Sequence, residues 1–276
     1  MGNWVNIQRD ADTGIELVHA HFKGFAYDPH FHSSYLIGVT ELGNQQFHCR
    51  RKLVNSHQGQ VFMLEPEEVH DGYAPEPLGF TYKMLHIDQD WLKQKYQGLF
   101  TQPFELEVAS TLNSDPLVAQ LVDASYRAMS NQEPQLMKDS YLDLLLERLA
   151  HQNLWSAREN SICALPDIAL KIKEILHENL YTDLDLNTLA QLAGADRFFI
   201  NRVFKQAFNC APHQYLIRLR LDQAKILLKA GIPASMVANS LCFADQSHLG
   251  RWFKRCYGLT LRQYQSACTN VLSSSR

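Results

Sequence analysis

Two stretches of this chain, "ADRFFINRVFKQAFNCAPHQY" and "ADQSHLGRWFKRCYGLTLRQY", are copies of one pattern set 49 residues apart. Ala195 matches Ala244, Asp196 matches Asp245, Arg202 matches Arg251, Phe204 matches Phe253, Lys205 matches Lys254 and Tyr215 matches Tyr264. A register held over so many positions marks one supersecondary unit used twice. After Pro166 the apolar period is helical throughout, so the duplicated unit is a helical one.

A short helix precedes each copy. "DLNTLAQLAG" has Asp185 as N-cap and Gly194 just past its end, and "PASMVANSLCF" ends beside Cys242. Asp196 and Asp245 then cap the following helices. Helix, tight turn, helix is the outline of a helix-turn-helix, expected here at about 184–206 and 233–256. In the second helix of each unit, Ile200, Val203, Phe204 and Ala207, or Leu249, Trp252, Phe253 and Cys256, form the core stripe. The opposite sides carry Arg197, Phe198, Asn201, Arg202 and Lys205, and Gln246, Ser247, Gly250, Arg251, Lys254 and Arg255.

These are the residue types that read duplex DNA. A helix fits the major groove, where arginine bonds two acceptors on guanine and asparagine or glutamine bonds adenine. Arg202, Arg251, Asn201 and Gln246 suit that role, while Lys205, Lys254 and Arg255 suit phosphates, which set register without reading sequence. One basic helix alone is ordinarily just a solvated face. Two equivalent ones, in the half that from Ala164 onward holds 14 Lys+Arg against 8 Asp+Glu, point to nucleic acid.

The rest of the chain is acidic, with 12 Lys+Arg against 21 Asp+Glu. Its first 90 or so residues read as short strands separated by "LGN", "HQG", "EPEE" and "PEPLG", which predicts a barrel or sandwich. From Asp115 the period changes. Asp115 caps and Pro116 opens a helix with Val118, Leu121 and Val122 on one face, and a second follows Pro134. Its leucines, Leu142, Leu145, Leu146 and Leu149, form a stripe that packs either on its own domain or against a second copy of the chain, where they would form a dimer face. "NLWSARENSICALPD" loses the period, so the domains are set at 1–155 and 166–276, with 156–165 as linker. No stretch is apolar for long enough to cross a bilayer, the first residues carry no leader pattern, and the six cysteines form no CxxC or zinc-like grouping. The expectation is a cytoplasmic protein with reduced thiols and no membrane contact.

Residues 166–268, with "ANSLCFADQSHLGRWFKRCYGLTLRQYQ", resemble the DNA-binding domain of the AraC/XylS family of bacterial transcription regulators. The resemblance implies two helix-turn-helix units bridged by a helix, here 212–231, that enter adjacent major grooves. This chain departs from the family pattern in having Cys242 in place of glycine, Leu261 in place of proline, and Gly250 where a small hydroxyl residue is common. "PHFHSSYLIGVTELG" followed by "GQVFMLEPEEVHDG" is similar to the cupin-like sensor domain of the same family. The fold class implied is α+β multidomain: an N-terminal cupin-like β-barrel with trailing helices, then an all-α domain. The function implied is sequence-specific regulation of transcription, commonly activation, by a homodimer that binds operator DNA, engages RNA polymerase and answers a small-molecule effector. Candidate effector residues are His30, His32, Tyr35, Glu41, His70 and Tyr82.

Two rival functions are weighed. His30 and His32 point the same way on a strand, and with His70 they offer three imidazoles, as metal-dependent cupin enzymes do. The usual glutamate is out of register, since Glu41 lies nine residues past His32, so the reading taken is no metal, no cofactor and no catalysis. The other rival is a DNA-coating protein blind to sequence.

Overall fold

A computed structural model describes residues 2–96, 105–152, 155–158 and 166–273. The chain forms two compact units, residues 1–159 together with 266–276, and residues 160–265.

In the first unit the strands are β1 (Trp4–Arg9), β2 (Glu16–Phe22), β3 (Phe25–His30), β4 (Tyr35–Leu42), β5 (Asn44–Cys49), β6 (Lys52–His57), β7 (Val61–Leu64), β8 (His70–Tyr73) and β9 (Phe80–Ile87). Helix α1 (Gln89–Tyr96), strands β10 (Glu105–Val108) and β11 (Leu112–Asn113), helices α2 (Pro116–Ser130) and α3 (Gln135–His151) and strand β12 (Trp155–Arg158) follow. One sheet has the order β1-β2-β9-β4-β7-β11, a second β3-β8-β5-β6, and β10 pairs β12. The expected cupin-like barrel is built of two sheets laid face to face. Across the gap Thr40 Oγ1 lies 2.7 Å from Ser56 Oγ, and the rings of Phe47 and Phe62 lie 6.1 Å apart.

Strand parity sorts the large sheet into two faces. Tyr35, Ile37 and Val39 of β4 and Leu85 and Ile87 of β9 join Val118 and Val122 of α2 and the four leucines of α3 in one core. The alternate residues Gly38, Thr40, Tyr82 and His86 face the second sheet. Gly38 has a steric reason: a Cβ there would lie 2.2 Å from Phe62 Cζ and 2.8 Å from the Lys83 carbonyl. At the head of α2 Asp115 accepts from the Leu117 N–H, and Pro116 occupies the first turn, as the sequence implies. Lys138 of α3 is buried, with its Nζ 2.5 Å from Asp10 and 2.7 Å from Asp12, and it ties α3 to the β1–β2 turn.

The linker expectation changes at its start. Residues 156–158 belong to β12, whose four residues register with Glu105–Val108. So short a strand carries no period of its own and is created by a partner about fifty residues upstream. The remainder of that linker, 159–165, lies outside the described residues.

The second unit is helical: α4 (Asp167–Glu178), α5 (Leu186–Ala193), α6 (Arg197–Phe208), α7 (Pro212–Lys229), α8 (Ala234–Ser240), α9 (Gln246–Tyr257) and the start of α10 (Leu261–Ser273). Asp185 and Asp196 each accept two backbone N–H bonds at the heads of α5 and α6, and Asp245 accepts one at the head of α9. Gly194, Asn209 and Gly258 close the three helices in the left-handed conformation. Cys242, in place of the family's glycine, also lies there, at φ 56°. That conformation costs a residue with a side chain about 1–2 kcal/mol.

Candidate nucleic-acid interface and sensor interior

The repeat seen in sequence recurs in three dimensions. Phe204 of α6 packs on Tyr215 at 5.4 Å and on Phe208 at 4.6 Å; Phe253 of α9 packs on Tyr264 at 5.3 Å and on Tyr257 at 4.7 Å. Each helix is therefore anchored by an aromatic trio at equivalent positions, with Ile200, Val203 and Phe204, or Leu249, Phe253 and Cys256, buried beneath it. Helix α7 links the two helix-turn-helix motifs along the chain, and its Arg220 donates to the Leu180 and Thr182 carbonyls beyond α4. The buried faces fix which side chains remain for a ligand.

Arg197, Phe198, Arg202 and Lys205 of α6 are exposed and Asn201 is half-buried; on α9 Gln246, Ser247, Arg251, Lys254 and Arg255 are exposed and Gly250 is half-buried. Every expected contact residue thus lies on the outward side of its helix. Phe198 is 70% exposed, with the Arg197 guanidinium 4.7 Å from its ring centre; Arg255 lies 5.1 Å from the Trp252 ring. Such stacking stiffens an arginine before it meets a partner. Phe199, 41% exposed with Arg202 at 5.8 Å, belongs to the same surface and was missed because its spacing reads as core. At Gly250 a Cβ would meet only Leu261 Cδ1, at 3.7 Å, so the protein itself does not demand glycine there.

The sensor interior gathers part of the expected effector set. His30 at the end of β3 and His70 at the start of β8 are register partners, with ring centres 4.5 Å apart. The His32 ring lies 4.9 Å from that of His30 and 5.4 Å from that of His70. All three are buried. Tyr27 adjoins His30 at 5.3 Å and donates its hydroxyl to Tyr82 at 2.9 Å, and burial pushes the Tyr82 hydroxyl to about 12. His86 of β9, 4.7 Å from His32, and Glu16 of β2, 3.8 Å from His86, complete the group. Neither was among the expected residues. For His86 a signal was present in the alternation of β9, which places Tyr82 and His86 on one face; Glu16 arrives only through the pairing of β2 with β9.

Three expectations are corrected by parity and burial. Tyr35 lies on the opposite face of the large sheet from the histidines, in the core under the helices. Glu41 shares that face: it pairs with Lys83 and with His19, each at 2.8 Å, and Lys83 also reaches Asp123 of α2. Burial pushes the Glu41 carboxyl up, but hydrogen bonds from Lys83 and His19 outweigh it and hold the carboxyl below its ordinary value. Leu142, Leu145, Leu146 and Leu149 are at most 4% exposed within the chain's own core, so they offer no surface to a second copy. The outward side of α3 instead carries Leu136, Met137 and Leu144.

Among the described residues no helix is long and apolar enough to cross a membrane. Residues 12–146 match the family described as AraC-like ligand binding domain, and residues 189–267 match a helix-turn-helix domain family. The uncharacterized HTH-type transcriptional regulator YbfI of Bacillus subtilis is 25% identical over 88% of this chain and 88% of its own. The arabinose operon regulatory protein of Salmonella typhimurium is 23% identical over 84% of this chain and 80% of its own. In fold, apo ToxT from Vibrio cholerae superposes with a TM-score of 0.63 at 12% identity over 95% of this chain and all of that one. Unsaturated fatty acid bound ToxT gives 0.58 at 10% identity over 98% and 97%. With a ligand-binding domain of the AraC type ahead of a helix-turn-helix domain, this chain belongs to the AraC family of transcription regulators.

Proposed function

We propose that α6 and α9 are the two reading heads of one sequence-specific regulator and that they lie in neighbouring major grooves of operator DNA. The observation that carries this reading is their equivalence: an aspartate N-cap, a phenylalanine–tyrosine anchor and an outward arginine, Arg202 or Arg251, at matching positions of each. Arg202 and Asn201 of α6 and Arg251 and Gln246 of α9 read base edges, with Phe198 beside the first pair for a thymine methyl, and Ser247 and Gly250 lining the groove that α9 enters. Arg197, Lys205, Lys254 and Arg255 hold phosphates.

The small-molecule effector enters between the two sheets of the N-terminal unit, beside His30, His32, His70 and Tyr82, and shifts the population between two arrangements of the regulator. Only unequal affinity for the two arrangements produces such a shift. The fatty acid bound to ToxT and the arabinose operon regulator among the relatives support effector control. The chain acts in the cytoplasm by binding rather than catalysis, as a homodimer formed through the outward side of α3, and activates transcription through RNA polymerase.

The test is quantitative DNA binding to a selected site. Arg202→Ala and Arg251→Ala each lose about 1–3 kcal/mol and relax one position of the site. Lys254→Ala weakens all sequences alike and lowers the salt slope by about one. Uniform weakening by both arginine variants sinks the direct-readout assignment.

A further inference from the structure

We propose that His30, His32 and His70 bind one divalent transition-metal ion of the first row. The inference deepens the reading of this interior as the regulatory site by giving that site a chemistry. It stands on three observations. One atom from each of the three buried imidazoles lies within 4.8 Å of the others. The ion's preferred bonds of about 2.0–2.1 Å bring such atoms somewhat closer by small side-chain rotations.

The second observation concerns tautomers. His30 Nδ1 lies 2.8 Å from the Asp28 carbonyl oxygen, and His70 Nδ1 lies 2.9 Å from the Glu68 carbonyl oxygen. A carbonyl only accepts, so each Nδ1 carries the hydrogen, and in the neutral ring the lone pair is then on Nε2. This is the outer-shell arrangement that orients histidine ligands and raises their basicity. The third observation is the surroundings. His86 adjoins His32 at 4.7 Å, with Glu16 beside it, so a fourth imidazole and a carboxylate stand behind the three. Imidazoles with a carboxylate behind them suit the ions from Fe2+ to Zn2+ better than Mg2+ or Ca2+, which take oxygen.

The ligands come from the end of β3, the segment leading into β4, and the start of β8. Binding an ion fixes the second sheet's β3–β8 pair to the approach of a central strand of the first sheet. That is a physical route from occupancy to the shape of the interior.

Full-length protein, stripped with chelator, is titrated with Co2+ by absorbance and with Zn2+ by competition against an indicator. We expect about one ion per chain at micromolar affinity or tighter. The affinity falls about 100-fold or more in His32→Ala and His70→Ala and is unchanged in His48→Ala and His57→Ala, whose imidazoles are on the outside. Because a ligand variant can misfold, wild-type protein is also modified with diethyl pyrocarbonate with and without Zn2+; selective protection of His30, His32 and His70 supports the site without any substitution. A folded wild type that takes up no ion, or uptake that His32→Ala and His70→Ala leave intact, overturns it. DNA affinity with and without Zn2+ separates the two readings. Ion uptake with unaltered DNA affinity keeps the site and removes its regulatory role, whereas no uptake alongside a DNA response to a small molecule does the reverse.

Discussion

Replacing Leu145 with alanine separates two roles for α3, since a buried leucine and an interface leucine answer to different assays. Leu145 is 0% exposed and belongs to one core with Val118 and Val122 of α2. Truncation removes its terminal methyl groups from a packed interior and leaves a cavity, which costs about 2–5 kcal/mol. For a unit of this size each kcal/mol moves the melting temperature by about 2–4 °C, so the unit should melt roughly 4–20 °C lower. Leu144, one residue earlier, is 50% exposed; Leu144→Ala should stay within about 0.5 kcal/mol of wild type. Leu144→Glu, by contrast, should halve the mass measured by light scattering while leaving the melt nearly unchanged. The assays are thermal melts followed by tryptophan fluorescence, paired with light scattering on the same samples. Should Leu145→Ala yield monomers with an undiminished melting temperature, the placement of that leucine in the monomer core is wrong.

The other consequences are more local. Gly38→Ala forces a methyl group to within 2.2 Å of the Phe62 ring between the sheets, and overpacking of that kind should cost about 1–3 kcal/mol by urea denaturation; a neutral result would mean the ring has room to move. Burial raises the Asp10 carboxyl, but Lys138 and Thr13 outweigh that and hold it below its ordinary range. A carboxyl depressed on folding adds stability that is present above its unfolded pKa and lost as pH falls through the folded value, so the unit should weaken below about pH 4. Asp10→Asn should lower stability at pH 7 and flatten that acid limb; an unaltered limb would assign it to other carboxyls.

The DNA-binding half was legible because its signals are local. Caps at Asp185, Asp196 and Asp245, left-handed closures at Gly194 and Gly258, and apolar stripes at helical spacing are each written within a dozen residues, and the repeat writes them twice. The sensor half was legible only in outline. Both faces of β4 are covered, so "YLIGV" is apolar throughout and hides which residues face which way; Tyr35 and Glu41 were therefore assigned to the wrong side. His86 and Glu16 come together through pairing of β2 with β9, about seventy residues apart in sequence, and no local pattern announces such a meeting. The leucine stripe of α3 was visible, but a stripe does not state what covers it; here α2 and the large sheet do.

Selection of bound sequences from random duplex DNA, by wild type and Arg251→Ala in parallel, tests the central claim most directly. The account predicts a motif of two segments about one helical turn apart, with one segment blurred in the variant and the other intact. A wild-type motif with a single segment, or a variant whose two segments fade together, would contradict the reading of α6 and α9 as two separate heads on one regulator.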